Sequence, residues 1–243
     1  MSRFTEQRVH TWVHPFLLSV LLISASSGTH AQGSPARAEH AVRAALELDR
    51  DAKRGATLYG RYCANCHGAE AAGDAARFIP ALAGQRQAYV IKQLAEFTEL
   101  GRESKDMHDV VSKPALSEPQ TWANIAAYVN GLSMAATQEV GDGRGLSFGE
   151  AIFREQCSSC HEEDAHGDDD GFVPSLRGQN YSYLVRQMRS IAASHRTGVE
   201  PDLARFFDSL ETDEITSVAD YLSRLRGKIR DRKTMRPDGT VGD

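Results

Sequence analysis

Long apolar runs are missing from this sequence. Outside residues 16–23, no stretch approaches the roughly 20 apolar residues that a membrane-spanning helix needs. Strict apolar–polar alternation is missing too, which argues against a sheet-based architecture and any βαβ unit. There is no phosphate-cradling glycine loop, no catalytic triad pattern and no separate metal motif. Positive charge is not in excess. Lys and Arg number 28 against 33 Asp and Glu, a net charge of −5, which speaks against a nucleic-acid partner. Cysteine is scarce, with 4 in 243 residues.

All of those cysteines lie in two short stretches, Cys63-Ala64-Asn65-Cys66-His67 and Cys157-Ser158-Ser159-Cys160-His161. Both read C-x-x-C-H, the attachment pattern of c-type haem. Two thiols at this spacing can each add to one vinyl group of the same porphyrin. The histidine that follows is then held where its imidazole can bind the iron. Cys63 and Cys66 are therefore read as tethers of one haem c with His67 as its axial ligand. Cys157, Cys160 and His161 form the same set for a second. A thioredoxin-like redox pair would need a βαβ pattern nearby. A four-cysteine zinc site would bring its pairs within roughly 15–20 residues and would leave both histidines unexplained. With both haems attached, no thiol remains for a disulfide or for an iron thiolate.

The flanks of the two motifs match. An offset of 94, from Cys63 to Cys157, also carries Gly55 to Gly149, Tyr59 to Phe153, Gly73 to Gly167 and Pro80 to Pro174. It carries Leu82, Gly84, Gln85, Tyr89, Gln93 and Arg102 onto Leu176, Gly178, Gln179, Tyr183, Gln187 and Arg196. A gapless match of this length means two copies of one small domain, each of about 90 residues. At that size a covalently held porphyrin supplies apolar surface that the polypeptide lacks.

Residues 1–31 read as a secretory signal peptide. Arg3 and Arg8 precede the apolar run Phe16 to Ile23, and Thr29-His30-Ala31 offers a cleavage site. An uncleaved anchor is the alternative, because His14-Pro15 makes the leading region atypical. Export agrees with covalent haem attachment, which in bacteria takes place outside the cytoplasmic membrane, and places the mature chain in the periplasm. Residues 32 to about 48 look like a linker-like lead-in. The first domain is expected over 40–136, a glycine-rich linker over 137–146, the second domain over 147–228 and a basic tail over 229–243.

Within the first domain a helix is expected from Asp49 to Tyr62, capped by Asp49 or Asp51, with Leu58, Tyr59 and Tyr62 on its inward face. Gly55 fits a close helix–helix contact. An amphipathic helix over Gln87 to Leu100 carries Val90, Ile91, Leu94 and Phe97. A loop then holds Met107. The last helix, Glu118 to Leu132, has Pro119 in its first turn and Trp122, Ile125, Ala126 and Val129 inward. Helix-period stripes recur throughout, so the fold class is all-α, as two tandem small domains, each expected to carry one haem c. The loop after each motif contains Pro80 or Pro174. Their carbonyls are candidates for holding the second ring nitrogen of His67 and of His161, and turn-shaping alone is the other reading.

The turns Pro80-Ala81-Leu82-Ala83-Gly84-Gln85 and Pro174-Ser175-Leu176-Arg177-Gly178-Gln179 carry a family resemblance, as do the Tyr-x-x-x-Gln helices and the terminal Ile125 to Val129 and Val218 to Leu222 helices. Across essentially the whole mature chain the sequence resembles the cytochrome c4 family of exported dihaem cytochromes. The resemblance implies electron transfer, with the two haems close across the domain interface. It implies redox partners such as a bc1-type complex, a terminal oxidase or a dehydrogenase. It also implies a distal methionine on each haem. Met107 falls at that place in the first domain, with His108 beside it as a weaker candidate, and a thioether there favours ferrous iron.

The second domain departs from the pattern. The offset carries Met107 to Pro201, and residues 195–205 contain no methionine. Met188 belongs inside a helix as a core residue. The second iron is therefore expected to have a vacant or weakly held sixth position, with His195 the next candidate and His166, or water, behind it. That opening defines a second function class, a haem enzyme or ligand-binding protein reducing peroxide or an oxyanion at the second haem, with His195, Arg196 and Arg205 near it. The carrier reading is preferred, because open coordination is necessary for haem catalysis and far from sufficient. The acidic loop Glu162 to Asp170 is a solvated loop, a docking patch or a weak calcium site. The basic residues from Arg224 to Arg236 could meet that loop, an anionic lipid or a partner.

Overall fold

The structure is a computed structural model that describes residues 35–99, 102–134, 139–196 and 198–226. The expected signal peptide and basic tail lie outside them. Among the described residues there is no strand beyond two isolated bridges, and no helix is long and apolar enough to cross a membrane.

The first half contains α1 (Pro35–Glu47), α2 (Ala52–Tyr62), α3 (Ala64–His67), α4 (Gln87–Thr98), α5 (Lys105–Val111) and α6 (Pro119–Gly131). Asp51 caps α2, its carboxylate accepting the Arg54 amide at 2.9 Å. Pro119 opens α6, where a missing N–H costs nothing. These two helices cross at Gly55, where any Cβ would collide with the Asn124 carbonyl. The expected inward face of α6 is buried: Trp122, Ile125, Ala126 and Val129 join Tyr59, Val90 and Ile91 in one core. Leu94 lies at the edge of that core, half-buried.

The second half repeats the plan with α7 (Leu146–Ile152), a π-turn (Phe153–Cys157), α8 (Ser158–His161), α9 (Tyr181–Ala192), α10 (Pro201–Ser209) and α11 (Thr212–Arg224). Helices α7 and α11 cross at Gly149, packed on the Ser217 carbonyl as Gly55 packs on Asn124. The aromatic pairs match as well: Tyr59 against Tyr128 at 5.3 Å between ring centroids, and Phe153 against Tyr221 at 5.7 Å. Met188 is buried in the second core.

Three expectations change. The lead-in at residues 32–48 is not a linker where it is described. It forms α1, which begins ahead of the expected domain start and buries Val42 and Ala45 in the first core. Its alanine-rich composition reads as slack, but Ala is the best helix former, and packing does the rest. Met107 sits on a helix, not in a loop, because Ser104 caps α5. The described part of the linker is also held down. Gly141 and Gly143 donate their amides to the buried Asp220 carboxylate at 2.9 and 2.7 Å.

Candidate haem sites

Each C-x-x-C-H motif sits where one helix ends and a single new turn begins. Cys63 closes α2 and opens α3, and Cys157 follows the π-turn into α8. The two thiols of each motif differ in setting. Cys63 and Cys157 are half-buried, whereas Cys66 and Cys160 are exposed. Burial, with the neighbouring Cys66, pushes the Cys63 thiol up to about 12, and burial with Cys160 pushes Cys157 up to about 11. At neutral pH both are therefore thiols and not thiolates.

The loop after each histidine is one repeated piece of backbone. Gly73 donates to the His67 carbonyl at 2.9 Å, and Gly167 to that of His161 at 3.0 Å. Asp74 and Ile79 bridge in both directions, and Asp168 and Val173 do the same. Left-handed residues recur at Ala71 and Ala165 and at Phe78 and Phe172. Gly73 and Gly167 take positive φ too, and there a Cβ would also collide with the Ile79 and Val173 carbonyls.

This frame delivers the two prolines. Nδ1 of His67 lies 3.0 Å from the Pro80 carbonyl, and Nδ1 of His161 lies 3.0 Å from that of Pro174. A carbonyl can only accept, so Nδ1 carries the proton in both rings and Nε2 keeps a free lone pair. Burial holds both imidazoles below their ordinary value, despite the opposing carbonyl, so they are neutral. A neutral, oriented imidazole beside two thiols is the donor set that a c-type haem needs, and the residues fit the group in both halves.

Met107 is half-buried at the third position of α5. His108 beside it is committed elsewhere, with Nδ1 3.0 Å from the Phe97 carbonyl. In the second half the corresponding helix is α10, and its third residue is Leu203, which is 40% exposed. His195 is exposed after α9. His166 pairs its Nδ1 with Asp164. The acidic loop is structural in part. Asp168 closes the proline loop, and Asp169 reaches the other half, accepting the Ala88 amide at 2.8 Å and pairing with Arg86 at 2.5 Å. Among the described residues no group of three or more His, Cys, Asp or Glu could hold a metal ion, so the calcium reading is not supported. Arg224 belongs to the fold and not to a free tail, since it pairs with Asp220 at 2.8 Å and donates to the Gly141 carbonyl at 2.7 Å.

The two halves meet through the proline turns and helices α4 and α9. The side chain of Gln179 bonds both the amide and the carbonyl of Ala81, at 2.8 and 2.9 Å. Gln85 bonds the amide and carbonyl of Ser175 at the same distances. Arg102 donates to Tyr183 and Gln187, each at 3.1 Å, and Arg196 to Tyr89 at 2.8 Å. Burial alone would push the Tyr89 phenol up, but the Arg196 and Arg102 guanidiniums outweigh it and hold it below its ordinary value. The pairing of the two glutamines was not drawn from sequence. The only trace there is that both copies keep Gln at the same offset.

A repeated helical frame with two thiol–thiol–imidazole sets defines a dihaem c-type cytochrome with two covalently bound haem c groups. Comparison with known proteins agrees. The family described as Cytochrome c matches residues 52–133, and the family described as Cytochrome C oxidase, cbb3-type, subunit III matches residues 146–222. A cytochrome c4 of Pseudomonas aeruginosa is 28% identical over 67% of this chain and 83% of its own length. A thiosulfate dehydrogenase electron acceptor of Stutzerimonas stutzeri is 30% identical over 72% of this chain and 83% of its own. The crystal structure of reduced recombinant cytochrome c4 from Pseudomonas stutzeri superposes with a TM-score of 0.64 at 24% identity, covering 73% of this chain and 100% of that one. The chain belongs to the cytochrome c4 family and is a dihaem electron carrier.

Proposed function

We propose that the chain carries electrons in the periplasm, between a respiratory or dehydrogenase donor and a terminal acceptor. In this reading Cys63 and Cys66 would hold one haem, with His67 and Met107 as the groups that would bind its iron. Cys157 and Cys160 would hold the other, with His161 as its one protein ligand. The observation that carries the reading is the pair of 3.0 Å contacts from the two Nδ1 atoms to Pro80 and Pro174. They give each ring one tautomer and one orientation before any iron is bound. Bound haem c supplies a one-electron ferric–ferrous couple. The residues do the rest: the thiols fix position, the imidazoles present Nε2, and the buried cores exclude water.

Likeness to an electron acceptor of thiosulfate dehydrogenase and to a subunit of a cbb3-type oxidase supports partners of dehydrogenase or oxidase type. The apolar run in residues 16–23 supports export. Electron paramagnetic resonance of the ferric, fully loaded protein tests the ligand assignment. A low-spin signal that Met107→Ala removes, beside a second signal of different spin state, is expected. Two low-spin signals insensitive to Met107→Ala would overturn it. Periplasmic delivery is checked by fusing residues 1–31 to a reporter that is active only outside the cytoplasm.

A further inference from the structure

The carbonyl that holds each imidazole belongs to a peptide unit whose other end is gripped by the opposite half. Pro80 offers its carbonyl to His67, and the amide on the same peptide plane, that of Ala81, donates to Oε1 of Gln179 at 2.8 Å. Pro174 offers its carbonyl to His161, and the Ser175 amide donates to Oε1 of Gln85 at 2.8 Å. Both glutamines are 7% exposed. Each Oε1 also accepts the amide of the residue that follows it, Asn180 at 2.9 Å and Arg86 at 2.8 Å. Each Nε2 donates at 2.9 Å to the carbonyl of the same gripped residue. Every polar atom of the two side chains is therefore engaged, and the glutamines cannot rotate freely.

We propose that the two glutamines act reciprocally as positioning and tuning residues, Gln179 for the haem tethered in the first half and Gln85 for the haem tethered in the second. The inference rests on His67 and His161 being axial ligands. Its physical basis is polarisation through a peptide. An amide that donates a hydrogen bond leaves more electron density on its own carbonyl oxygen, and bonds in such a chain strengthen one another by roughly 10–30%. A stronger acceptor at Nδ1 makes the imidazole a more basic ligand, and a more basic ligand favours ferric iron. Each half thus lowers the potential of the other half's haem, and the potentials depend on the interface being closed.

The test uses the full dihaem protein. Redox titration is followed through the hyperfine-shifted haem methyl resonances, which separate the two haems. Gln179→Leu removes the acceptor from the Ala81 amide. It should change the ferrous-to-ferric ratio of the first haem at fixed potential by two- to tenfold toward ferrous, about 18 to 59 mV for a one-electron couple. The second haem should stay where it was. Gln85→Leu should do the reverse. Gln179→Met keeps the length of the side chain and likewise lacks the acceptor, so it should move the first haem the same way, and it carries the test if the leucine variant does not accumulate.

Ser182→Ala is the control. It deletes another bond between the halves, from Ser182 to the Ala75 carbonyl at 3.1 Å, and should move neither haem. The proposal is overturned if each glutamine variant moves the haem of its own half, if both haems move together, if Ser182→Ala moves them as much, or if nothing moves. The unaltered protein reports separately on the ligands. Absence of hyperfine-shifted histidine ring signals would sink the axial reading itself, whereas their presence with unmoved potentials would sink only the relay.

Discussion

At the scale of single residues, the chemistry of each site depends on which atoms are left unoccupied. His67 and His161 spend Nδ1 on a proline carbonyl and keep Nε2, whereas His108 and His166 spend ring nitrogens on Phe97 and Asp164. His195 is exposed, whereas His67 is buried and His161 half-buried. Met107→Leu is expected to lower the potential of the first haem, because a thioether favours ferrous iron, and to turn that site high-spin in the ferric state. Leu203→Met is the reciprocal gain. If Leu203 stands where Met107 stands, the second ferric site should become low-spin in resonance spectra. Asp164 gives a pH dependence. Burial pushes its carboxyl up, but the His166 hydrogen bond and the Arg177 charge outweigh that and hold it below its ordinary 3.8. A depressed carboxylate stabilises the fold above its unfolded value and loses that contribution as pH falls through the folded one. Asp164→Asn should therefore be less stable near neutrality, with the difference vanishing below pH 3.8 in acid-unfolding curves.

At the scale of elements, two helix crossings set the frame, and each depends on one glycine. Gly55→Ala forces a methyl into the Asn124 carbonyl, and Gly149→Ala forces one into that of Ser217. Overpacking of this kind costs about 1–3 kcal/mol, so denaturant midpoints should fall for both variants while haem attachment persists. The sequence pointed to Gly55 because it recurs at Gly149, but not to its contact partner, which lies far along the chain. The N-terminal cap of α2 was legible as Asp49 or Asp51, and the structure selects Asp51. The α1 helix was not legible, because its apolar positions are mostly alanine, and only the surfaces of α4 and α6 give them something to cover. The same holds for α5 and α10, whose short spans fall below the length at which sequence periodicity is informative.

For the molecule as a whole, the question is how independently two copies of one small domain behave. The halves share reciprocal glutamine bonds, the Arg102 and Arg196 contacts and the Arg86–Asp169 pair. Phe172 of the second half packs against the core of the first. The Ala81 and Ser175 amides find their acceptors across the boundary, so opening it leaves unpaired donors, each costing about 1–3 kcal/mol. Calorimetry of the loaded protein is therefore expected to show one cooperative transition, not two separable ones. Asp220→Ala should weaken it, since the buried carboxylate is what ties Gly141 and Gly143 of the connecting segment to α11.

The sequence by itself determined the covalent chemistry and the repeat. Thiol spacing, the adjacent histidine and a constant offset are local or periodic properties, readable without a fold. It also determined the absence of a methionine from residues 195–205, and with it the asymmetry expected between the halves. The tertiary structure decided what lies far apart in the chain: that Asn124 receives Gly55, that Asp220 holds the connecting segment, and that Gln179 and Gln85 grip each other's proline turns. Those pairings span 69 to 98 positions, the longest being Gln179 and Ala81, and hydrogen-bond complementarity at such separations leaves no periodic signal in sequence. Only folding brings the donors and acceptors together.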